Sequence, residues 1–442
     1  MVYNRIYTKC LYGIFLYAAP MNVTIIGTGY VGLVSGACFA KLGNNVTCVD
    51  IDKEKINKIN NSISPIHEKG LEKILKDNKE RIKATSSYEK AMQQSDITFI
   101  CVGTPSKENG EIDLSYIKNA TIEVAKQIKK INNYHIVIMK STVIPGTTEK
   151  IVLPLLEQYS NKKAGIDFGV GMNPEFLKEG EAVNDFLNPD RVVNGHYDEK
   201  TKKILKELYK NFSCPIIETT LTTAEMIKYA SNCFLAAKIS FINEIGNMCK
   251  KLKINTYDVS EGMGMDKRIG PHFLNSGIGW GGSCFPKDTN ALMTWAKQNN
   301  IDYSMIKSTI EVNDKQPLEL IKILKKHIPN LNDKTIGILG LAFKPDTDDI
   351  RDSRSIPLVE KLINEGAKIK VYDPKAMDNF KQLFPDITYC KSAEEILKSD
   401  AILIATIWNQ FNDLNFKNNI VIDGRKLKNA QKTAKIYEGV CW

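Results

Sequence analysis

"NVTIIGTGYVGLVSGACFAKLGNNVTCVDID", residues 22–52, predicts a strand, a glycine turn, a helix and a second strand. In the turn, Gly27, Gly29 and Gly32 permit tight backbone geometry, close approach of a pyrophosphate and close packing of the helix. The second strand ends at Asp50, whose carboxylate can accept both ribose hydroxyls of NAD and would repel the 2′-phosphate of NADP. The stretch therefore predicts a Rossmann-type NAD site, with an ordinary glycine turn as the alternative.

The alternation of strand and helix continues along the chain. Further strands are predicted in "SDITFICVGTP", "HIVIMKSTVIPG", "DFGVGMNPEFL", "RVVNG" and "PIIET", and after Lys334 in "KTIGILGLAF" and "KIKVYDP". The segment "KSAEEILKSDAILIAT" mirrors the earlier "SSYEKAMQQSDITFIC", which suggests a second domain of the same plan. Strands that alternate with helices predict parallel, doubly wound sheets.

Between these regions, Thr222 to about Lys251 is predicted to form one long helix, and more helix follows to about Lys326. Its apolar residues recur at helical spacing: Met226, Ile227, Ala230, Phe234 and Ala237. A helix of this length usually braces domains or subunits. We therefore predict an α/β fold of two Rossmann-like doubly wound domains joined by a long central helix and a helical domain. The predicted divisions are an N-terminal extension at 1–20, a NAD-binding Rossmann domain at 21–215, a central helical or dimerisation domain at 216–330, and a Rossmann-like domain at 331–442.

Composition restricts the possible partners. The 442 residues, 43% of them hydrophobic, carry a net charge of +9 from scattered lysines, and no basic run or aromatic signature predicts nucleic-acid binding. Ten cysteines without a CxxC pair indicate neither a disulfide framework nor a metal site. No apolar run reaches the roughly 18 residues of a membrane span. We expect a cytoplasmic protein with neither a nucleic-acid nor a membrane partner.

The first twenty residues stand apart. Arg5 and Lys9 precede a short apolar stretch, 10–19, which imitates a secretory signal peptide. Because a buried strand follows at once, we expect an upstream extension and a working protein that begins at Met21.

Several polar residues follow predicted strands, where open α/β sheets bind ligands. Thr104 and Thr142 occupy such positions, although either could merely cap a helix. Glu175 and Glu179 would share one face if their segment were helical, and a solvated helix start is the alternative. Lys344, Arg351 and Arg425 also follow strands and could bind a phosphorylated ligand or be surface cations.

"GIGWGGSCFPKD", residues 277–288, surrounds one cysteine with glycines, a lysine and an aspartate. Glycines allow backbone or ligand to approach closely. Lys287 would lower the pKa of the Cys284 thiol, and Asp288 offers an acceptor. A nucleophile and an inert buried thiol both remain possible for this cysteine taken alone. Lys228 and Asn232, four residues apart on the long helix, are by themselves a weak indication of a site.

"NPEFLKEG", "DFLNPDRVV", "RIGPHFLNSGIGWGGSCFPKD" and "GLAFKPDTDDIRDS", found in this order, resemble the UDP-glucose/GDP-mannose dehydrogenase family from residue 21 to about 430. The resemblance implies NAD-dependent, four-electron oxidation of UDP-glucose to UDP-glucuronate through a thiohemiacetal and a thioester on a cysteine. The wording of "NPDRVV" and "FPKD" favours UDP-glucose over GDP-mannose. Lys69 replaces a usual proline and Trp280 a usual tyrosine or phenylalanine, but neither change removes a group that the mechanism needs.

The resemblance also implies residue roles. Cys284 is the nucleophile, Lys228 and Asn232 stabilise oxyanion-like intermediates, Asp288 and Thr142 position a water, and Glu175 assists thioester hydrolysis. The implied cofactor positions are Gly27, Gly29, Tyr30, Val31, Gly32, Asp50, Lys55, Thr104, Thr142, Glu179, Lys287 and Arg351. The implied sugar-nucleotide positions are Phe176, Leu177, Lys178, Glu179, Lys228, Asn232, Phe273, Leu274, Ser276, Gly279, Lys344 and Arg425, the last two placing the UDP-sugar on the C-terminal domain. Arg268 resembles the arginine that reaches a neighbouring subunit's substrate, so a homodimer is expected.

Three alternatives stay open. The same chemistry could act on GDP-mannose or an N-acetylated UDP-sugar. A one-step NAD-dependent hydroxyacid dehydrogenase would leave Cys284 idle. A non-catalytic protein that binds NAD or a sugar nucleotide would bind its ligand without producing NADH.

Overall fold

The computed structural model describes residues 20–442, so the expectation for the first nineteen residues lies outside it. The contacts divide the chain into two compact units. The first unit comprises the chain up to Gly103 together with Ser115–Ser141 and Gly146–Ala224. The second comprises Thr104–Leu114, Thr142–Pro145 and Glu225–Trp442. The predicted domain limits remain a prediction.

The first unit contains one eight-stranded sheet with the order β3-β2-β1-β4-β5-β6-β7-β8. Its strands are β1 Asn22–Ile26, β2 Asn45–Val49, β3 Ile82–Thr85, β4 Ile97–Ile100, β5 His135–Met139, β6 Phe168–Met172, β7 Val192–His196 and β8 Ile216–Thr219. Its helices are α1 Tyr30–Lys41, α2 Lys53–Asn60, α3 Leu71–Asp77, α4 Tyr88–Met92, α5 Ser115–Ile128, α6 Leu153–Ser160, α7 Ala182–Leu187 and α8 Glu199–Leu208, with a π-helical turn at Thr148–Val152.

The expectation of a purely parallel sheet is wrong at one place, because β6 and β7 pair antiparallel. Only two residues of each strand take part, Gly171 opposite His196 and Met172 opposite Gly195. The chain enters β7 from the same end of the sheet at which β6 finishes, without crossing to the opposite end. The two strands therefore run in opposite directions.

Helix α9, Leu221–Leu252, begins in the first unit and continues into the second. The helices that follow are α10 Thr256–Gly264, α11 Phe285–Gln298, α12 Ser304–Lys315, α13 Leu318–His327, α14 Ser355–Asn364, α15 Met377–Leu383 and α16 Lys428–Thr433, with 3₁₀ turns at Ala393–Lys398 and Asn409–Asp413. The strands are β9 Thr335–Leu339, β10 Lys368–Tyr372, β11 Thr388–Tyr389, β12 Ala401–Ile404, β13 Ile420–Asp423 and β14 Ile436–Gly439.

The second sheet has the order β11-β10-β9-β12-β13-β14 and is parallel throughout. This order repeats that of the first six strands of the other sheet, β3-β2-β1-β4-β5-β6. The predicted fold class, with two Rossmann-like sheets and a long helix between them in the chain, is therefore confirmed.

Helix α9 exposes some of its apolar side chains and buries some polar ones. Of the apolar residues at helical spacing, Phe234 is 67% exposed and Met226 is 36% exposed. Lys228 and Asn232, by contrast, are buried. An amphipathic helix normally buries its apolar face, so the outward apolar residues of α9 are an unusual feature of this chain. Within residues 20–442, none of the helices is both long and apolar enough to span a bilayer.

Candidate functional site

The glycine turn has the geometry that a dinucleotide pyrophosphate requires. Gly27 adopts φ +93°, and a Cβ on it would lie 3.0 Å from the Cys101 carbonyl oxygen. A Cβ on Gly32 would lie 1.9 Å from the Gly27 oxygen, so α1 can pack against the turn only with glycine there. At Gly29 a Cβ would meet nothing within 4 Å. The turn is therefore closely packed at Gly27 and Gly32 and open at Gly29. Tyr30 and Val31 follow Gly29 directly and begin α1.

Asp50 lies at the end of β2 as predicted. Its Oδ2 accepts hydrogen bonds from the Thr28 amide at 2.7 Å and the Thr28 hydroxyl at 2.5 Å, and its Oδ1 accepts one from the Asp52 amide. Burial acts to raise the pKa of this carboxyl, but these hydrogen bonds and the charge of Lys55 outweigh it and hold the pKa below its usual value. An ionised carboxylate beside an open glycine turn fits NAD.

The loop that carries the two predicted glutamates is not helical, so the expectation that Glu175 and Glu179 share a helix face is wrong. The buried Glu175 instead accepts a 2.5 Å hydrogen bond from the Leu177 amide. The Lys178 amide donates to Asp185 at 2.8 Å. These side-chain-to-backbone bonds compete with helical ones and keep the segment irregular.

Sequence analysis missed two cations in this part of the first unit. The Arg191 guanidinium lies 3.8 Å from the centre of the Phe176 ring. The buried Lys140 donates to Asn173 Oδ1 at 2.7 Å, and Tyr209 donates to the same oxygen. Lys140, Asn173, Phe176, Arg191 and Glu175 line a cavity of about 290 Å³. Lys140 could have been found because it directly follows a predicted strand, where ligands bind in such sheets. Arg191 could have been found because it lies in the family motif "NPDRVV".

Cys284 is exposed and lies at the N-cap of α11. Its Sγ lies 3.6 Å from Ser283 Oγ, and its carbonyl accepts from the Asp288 amide at 2.9 Å. The other cysteines of residues 20–442 are buried or half-buried. The partial positive charge of a helix N-terminus favours an anionic sulfur, so this thiol has both the access and the environment that a nucleophile needs.

Buried amide side chains hold the segment before Cys284. Asn243 accepts from the Gly277 amide at 2.7 Å, and Gln316 donates to the Gly277 carbonyl at 2.8 Å. Asn313 accepts from the Trp280 amide and donates to the Trp280 carbonyl. The backbone approaching the cysteine is therefore fixed on both sides by α9 and α12.

The paired glycines before Cys284 serve backbone packing. A Cβ on Gly281 would lie 2.1 Å from the Asp352 carbonyl oxygen, and one on Gly282 would lie 2.7 Å from the Phe343 ring. The Gly282 amide also donates to the Arg351 carbonyl at 2.8 Å. Of the two expectations, close approach of backbone or of a ligand, the structure shows the first.

Besides Glu175, three predicted catalytic side chains are buried, and two of these three are in direct contact. Asn232 Nδ2 donates to Asp288 Oδ2 at 2.6 Å, and Lys287 Nζ lies 2.6 Å from Asp288 Oδ1. Lys228, one turn before Asn232 on α9, is only 4% exposed, so the solvated-lysine alternative is wrong for it. The positive charge of Lys287 is therefore partly neutralised by its ion pair with Asp288.

Thr104 and Thr142 belong to the compact unit that contains Cys284, although the strands preceding them belong to the first unit. The next helical segments begin only at Ser115 and Thr148, so neither threonine caps a helix. The capping alternative is wrong for both.

Two of the predicted sugar-nucleotide residues of the second unit, Arg425 and Gly279, contact each other. The Arg425 guanidinium donates to the Ala405 carbonyl at 2.8 Å and to the Gly279 carbonyl at 3.3 Å, and burial lowers its pKa to about 10. Phe273 has φ +63°, a left-handed conformation that is rare for a bulky residue. The backbone of this segment is held from α10: Leu274 O accepts from Ser260 and Ser276 O accepts from Tyr257.

The remaining predicted cations are more exposed. Arg351 makes a two-pronged ion pair with Asp349, and Lys344 lies half-buried over the Phe343 ring. Lys287 and Arg351 line a cavity of about 650 Å³ together with 105–110. Arg268 is 88% exposed and pairs with Asp266. In the described part of the chain, no group of three or more His, Cys, Asp or Glu side chains could hold a metal ion.

Comparisons with known proteins agree with this arrangement. Three sequence models of the UDP-glucose/GDP-mannose dehydrogenase family match: its NAD binding domain at 21–213, its central domain at 222–315 and its UDP binding domain at 337–430. A UDP-glucose 6-dehydrogenase of Bacillus subtilis is 46% identical over 392 residues, covering 88% of each chain. One of Haloferax volcanii is 41% identical over 419 residues, covering 92% of this chain and 97% of that protein.

Solved structures give the same relationship. A UDP-glucose dehydrogenase from Pyrobaculum islandicum superposes with a TM-score of 0.93 at 39% identity, covering 97% of this chain and all of that one. A GDP-mannose dehydrogenase from Pseudomonas aeruginosa gives a TM-score of 0.56 at 36% identity, covering 96% of this chain and all of that one. The fold agrees with these matches, and the chain belongs to the UDP-glucose/GDP-mannose dehydrogenase family.

Proposed function

We propose that the protein is an NAD-dependent UDP-glucose 6-dehydrogenase that converts UDP-glucose to UDP-glucuronate through a covalent intermediate on Cys284. The observation that carries the proposal is the exposed thiol at the N-terminus of α11, in the unit that also holds the buried Lys228 and the hydrogen-bonded pair of Asn232 and Asp288. A one-step alcohol dehydrogenase needs no nucleophile. The relatives named UDP-glucose 6-dehydrogenase support this substrate over GDP-mannose.

The chain's residues fit the cofactor. The open turn at Gly29 would receive the pyrophosphate and Asp50 the adenosine ribose, with Lys55 beside it. The family resemblance adds Thr104, Glu179, Lys287 and Arg351 to the cofactor site. When bound, NAD accepts one hydride from the sugar in each of the two oxidations.

In the first oxidation, C6 of the glucose loses a hydride and its hydroxyl loses a proton, which gives an aldehyde. A water held by Asp288 and Thr142 takes that proton. The Cys284 thiolate then forms a C–S bond to the aldehyde carbon, and the carbonyl oxygen becomes an alkoxide. The Lys228 ammonium and the Asn232 amide stabilise this oxyanion in a buried site, where such donors are most effective.

In the second oxidation, the thiohemiacetal carbon loses its hydride and becomes a thioester. Water then attacks the thioester carbonyl, the C–S bond breaks, and the products are a carboxylate, a proton and the regenerated thiol. The resemblance assigns assistance in this hydrolysis to Glu175. One sugar thus yields four electrons, and no oxidant beyond NAD is required.

The family resemblance assigns the UDP-sugar contacts to Phe176, Leu177, Lys178, Glu179, Lys228, Asn232, Phe273, Leu274, Ser276, Gly279, Lys344 and Arg425. The Arg425 contact with the Gly279 carbonyl supports this grouping for the second unit.

The working form is proposed to be a cytoplasmic homodimer. The outward apolar residues Phe234, Phe241 and Met248 recur every seven residues on α9, and such an exposed stripe suits a second copy of the chain. The exposed Arg268 would then reach the substrate of the other subunit. All nine cysteines among residues 20–442 are free.

The decisive experiment measures NADH released per molecule of limiting UDP-glucose. Two NADH per sugar are expected. One per sugar would mean that the reaction stops at the aldehyde and that the role given to Cys284 is wrong. Activity with GDP-mannose or an N-acetylated UDP-sugar alone would change the substrate, and binding without NADH would leave a non-catalytic protein.

A further inference from the structure

Glu68 joins three segments of the first unit that are far apart in sequence. It lies in "PIHEKGL", residues 65–71, and is only 7% exposed. Its Oε2 accepts a hydrogen bond from the Tyr30 hydroxyl and a second, at 2.7 Å, from the Gly180 amide. The same amide lies 2.8 Å from the Tyr30 hydroxyl oxygen. One carboxylate oxygen, one phenol and one backbone amide thus form a closed triangle.

Two corners of this triangle adjoin the cofactor site. Tyr30 is the first residue of α1 and directly follows Gly29, where the turn is open. Gly180 directly follows Glu179, and its φ of +85° favours glycine at this point of the loop. The triangle therefore ties the position of Glu179 to that of the glycine turn.

Other hydrogen bonds shape the loop locally. The Glu181 amide donates to the Lys178 carbonyl at 3.0 Å, and the Lys178 amide donates to Asp185 at 2.8 Å. These bonds join the loop to itself and to α7. The bond from the Gly180 amide to Glu68 instead reaches the segment 65–71, and Glu68 in turn binds Tyr30 next to the glycine turn.

We propose that Glu68 is a positioning residue, which acts through Tyr30 and Gly180 to fix Glu179 relative to the bound cofactor. The inference rests on the proposed function for the identity of the site. It adds a residue from a segment to which sequence analysis gave no role, and it explains why a tyrosine opens α1. A displacement of about 1 Å at a reacting centre costs up to about a hundredfold in rate, so a loosened loop has a measurable effect.

The test compares Glu68→Ala, Glu68→Gln, Tyr30→Phe and the double variant Tyr30→Phe/Glu68→Ala. Glu72→Ala is the matched control, because Glu72 is an exposed carboxylate that pairs only one turn away, with Lys76. Each variant is assayed for kcat, for both KM values, for NAD affinity by calorimetry, and for hydrogen exchange of the peptide 174–182.

For Glu68→Ala we expect kcat/KM for NAD to fall about ten- to a hundredfold, weaker NAD binding and faster exchange of the peptide. Glu68→Gln keeps an acceptor oxygen and should recover most of the loss. The double variant should lose no more kcat/KM for NAD than Glu68→Ala, because the Tyr30 hydroxyl acts through the same carboxylate. Glu72→Ala should match the wild type.

Unchanged kinetics and unchanged exchange in Glu68→Ala would overturn the inference, as would additive losses in the double variant. A purely structural role would lower the fraction of folded protein and leave the constants per folded molecule unchanged. If Glu68→Ala fails to fold, Tyr30→Phe, which deletes one hydroxyl, gives the same readouts. If the wild type does not oxidise UDP-glucose, the proposed function fails, while NAD affinity and peptide exchange still decide the role of Glu68.

Discussion

Asn232 Nδ2 donates a 2.6 Å hydrogen bond to Asp288 Oδ2, although the two residues lie 56 positions apart in the chain. Asn232 is on α9 and Asp288 is on the first turns of α11, the helix that begins after Cys284. The other Asp288 oxygen binds Lys287. A carboxylate held from both sides, four residues after Cys284, is oriented before any substrate arrives.

Asn232→Ala should disturb this arrangement. Loss of a hydrogen bond to a buried charged group should lower the free energy of unfolding by about 1.5–3 kcal/mol. The same loss should lower kcat/KM by about ten- to a hundredfold. Chemical denaturation and steady-state kinetics measure the two effects, with Lys251→Ala, an exposed position on the same helix, as control. A variant as stable and as active as the wild type would contradict the assignment.

Cys284 should react with iodoacetamide ahead of the other cysteines of the described chain. Burial raises the thiol pKa to about 12 in Cys38, Cys48, Cys101, Cys233 and Cys441, which leaves almost no thiolate at pH 8. Peptide mass spectrometry after partial alkylation measures the order, and the Cys10 peptide, which lies outside the described residues, is followed separately. Equal labelling of buried and exposed cysteines would argue against a selectively reactive thiol.

Cys284→Ser should abolish the complete reaction. A serine hydroxyl is a far weaker nucleophile than a thiolate, so the steady-state rate should fall by about a thousandfold or more, and no more than one NADH should form per sugar. The final NADH absorbance at limiting UDP-glucose measures this stoichiometry. Cys214→Ser, at a half-buried position, is the control. Two NADH per sugar from Cys284→Ser would refute the covalent route.

The outward stripe of α9 should control assembly. Phe234→Glu and Phe241→Glu place charges on exposed apolar positions, so an association that buries this stripe should weaken strongly. Light scattering should show a dimer for the wild type and a monomer for the double variant, while circular dichroism should stay unchanged. Arg268→Ala should retain the dimer and lose activity. A monomeric wild type would rule out this interface.

Asp50 should determine the choice of cofactor. Asp50→Ser removes the charge that repels a 2′-phosphate, so NADP use relative to NAD should rise by about tenfold or more. Because the pKa of Asp50 is held below its usual value, the carboxylate stays ionised through mildly acid pH. The wild type should therefore prefer NAD throughout about pH 6 to pH 8, with a weaker preference near pH 6, where the 2′-phosphate of NADP takes up a proton. A preference for NADP anywhere in this range would mean that another group discriminates.

Local patterns determined much of this protein. The glycine turn, the strand that ends in Asp50 and the long helix α9 follow from residue spacing alone, because each depends on contacts a few positions apart. The presence of a second doubly wound sheet follows from the repeated alternation of strands and helices, whereas its strand order comes from the structure. The family motifs assigned the nucleophile role to Cys284, and the structure adds that this exposed residue lies at the N-cap of α11.

Tertiary structure alone decided the features that depend on distant contacts. The antiparallel pairing of β7, the burial of Lys228 and the outward apolar face of α9 could not be predicted, because hydrophobic periodicity marks a helix without stating which neighbour covers it. The irregular loop at Glu175 arises because its side chain bonds to the backbone in place of helical partners. Glu68, Tyr30 and Gly180 meet only in three dimensions: a hydrogen bond between residues 112 positions apart leaves no periodic signal in the sequence.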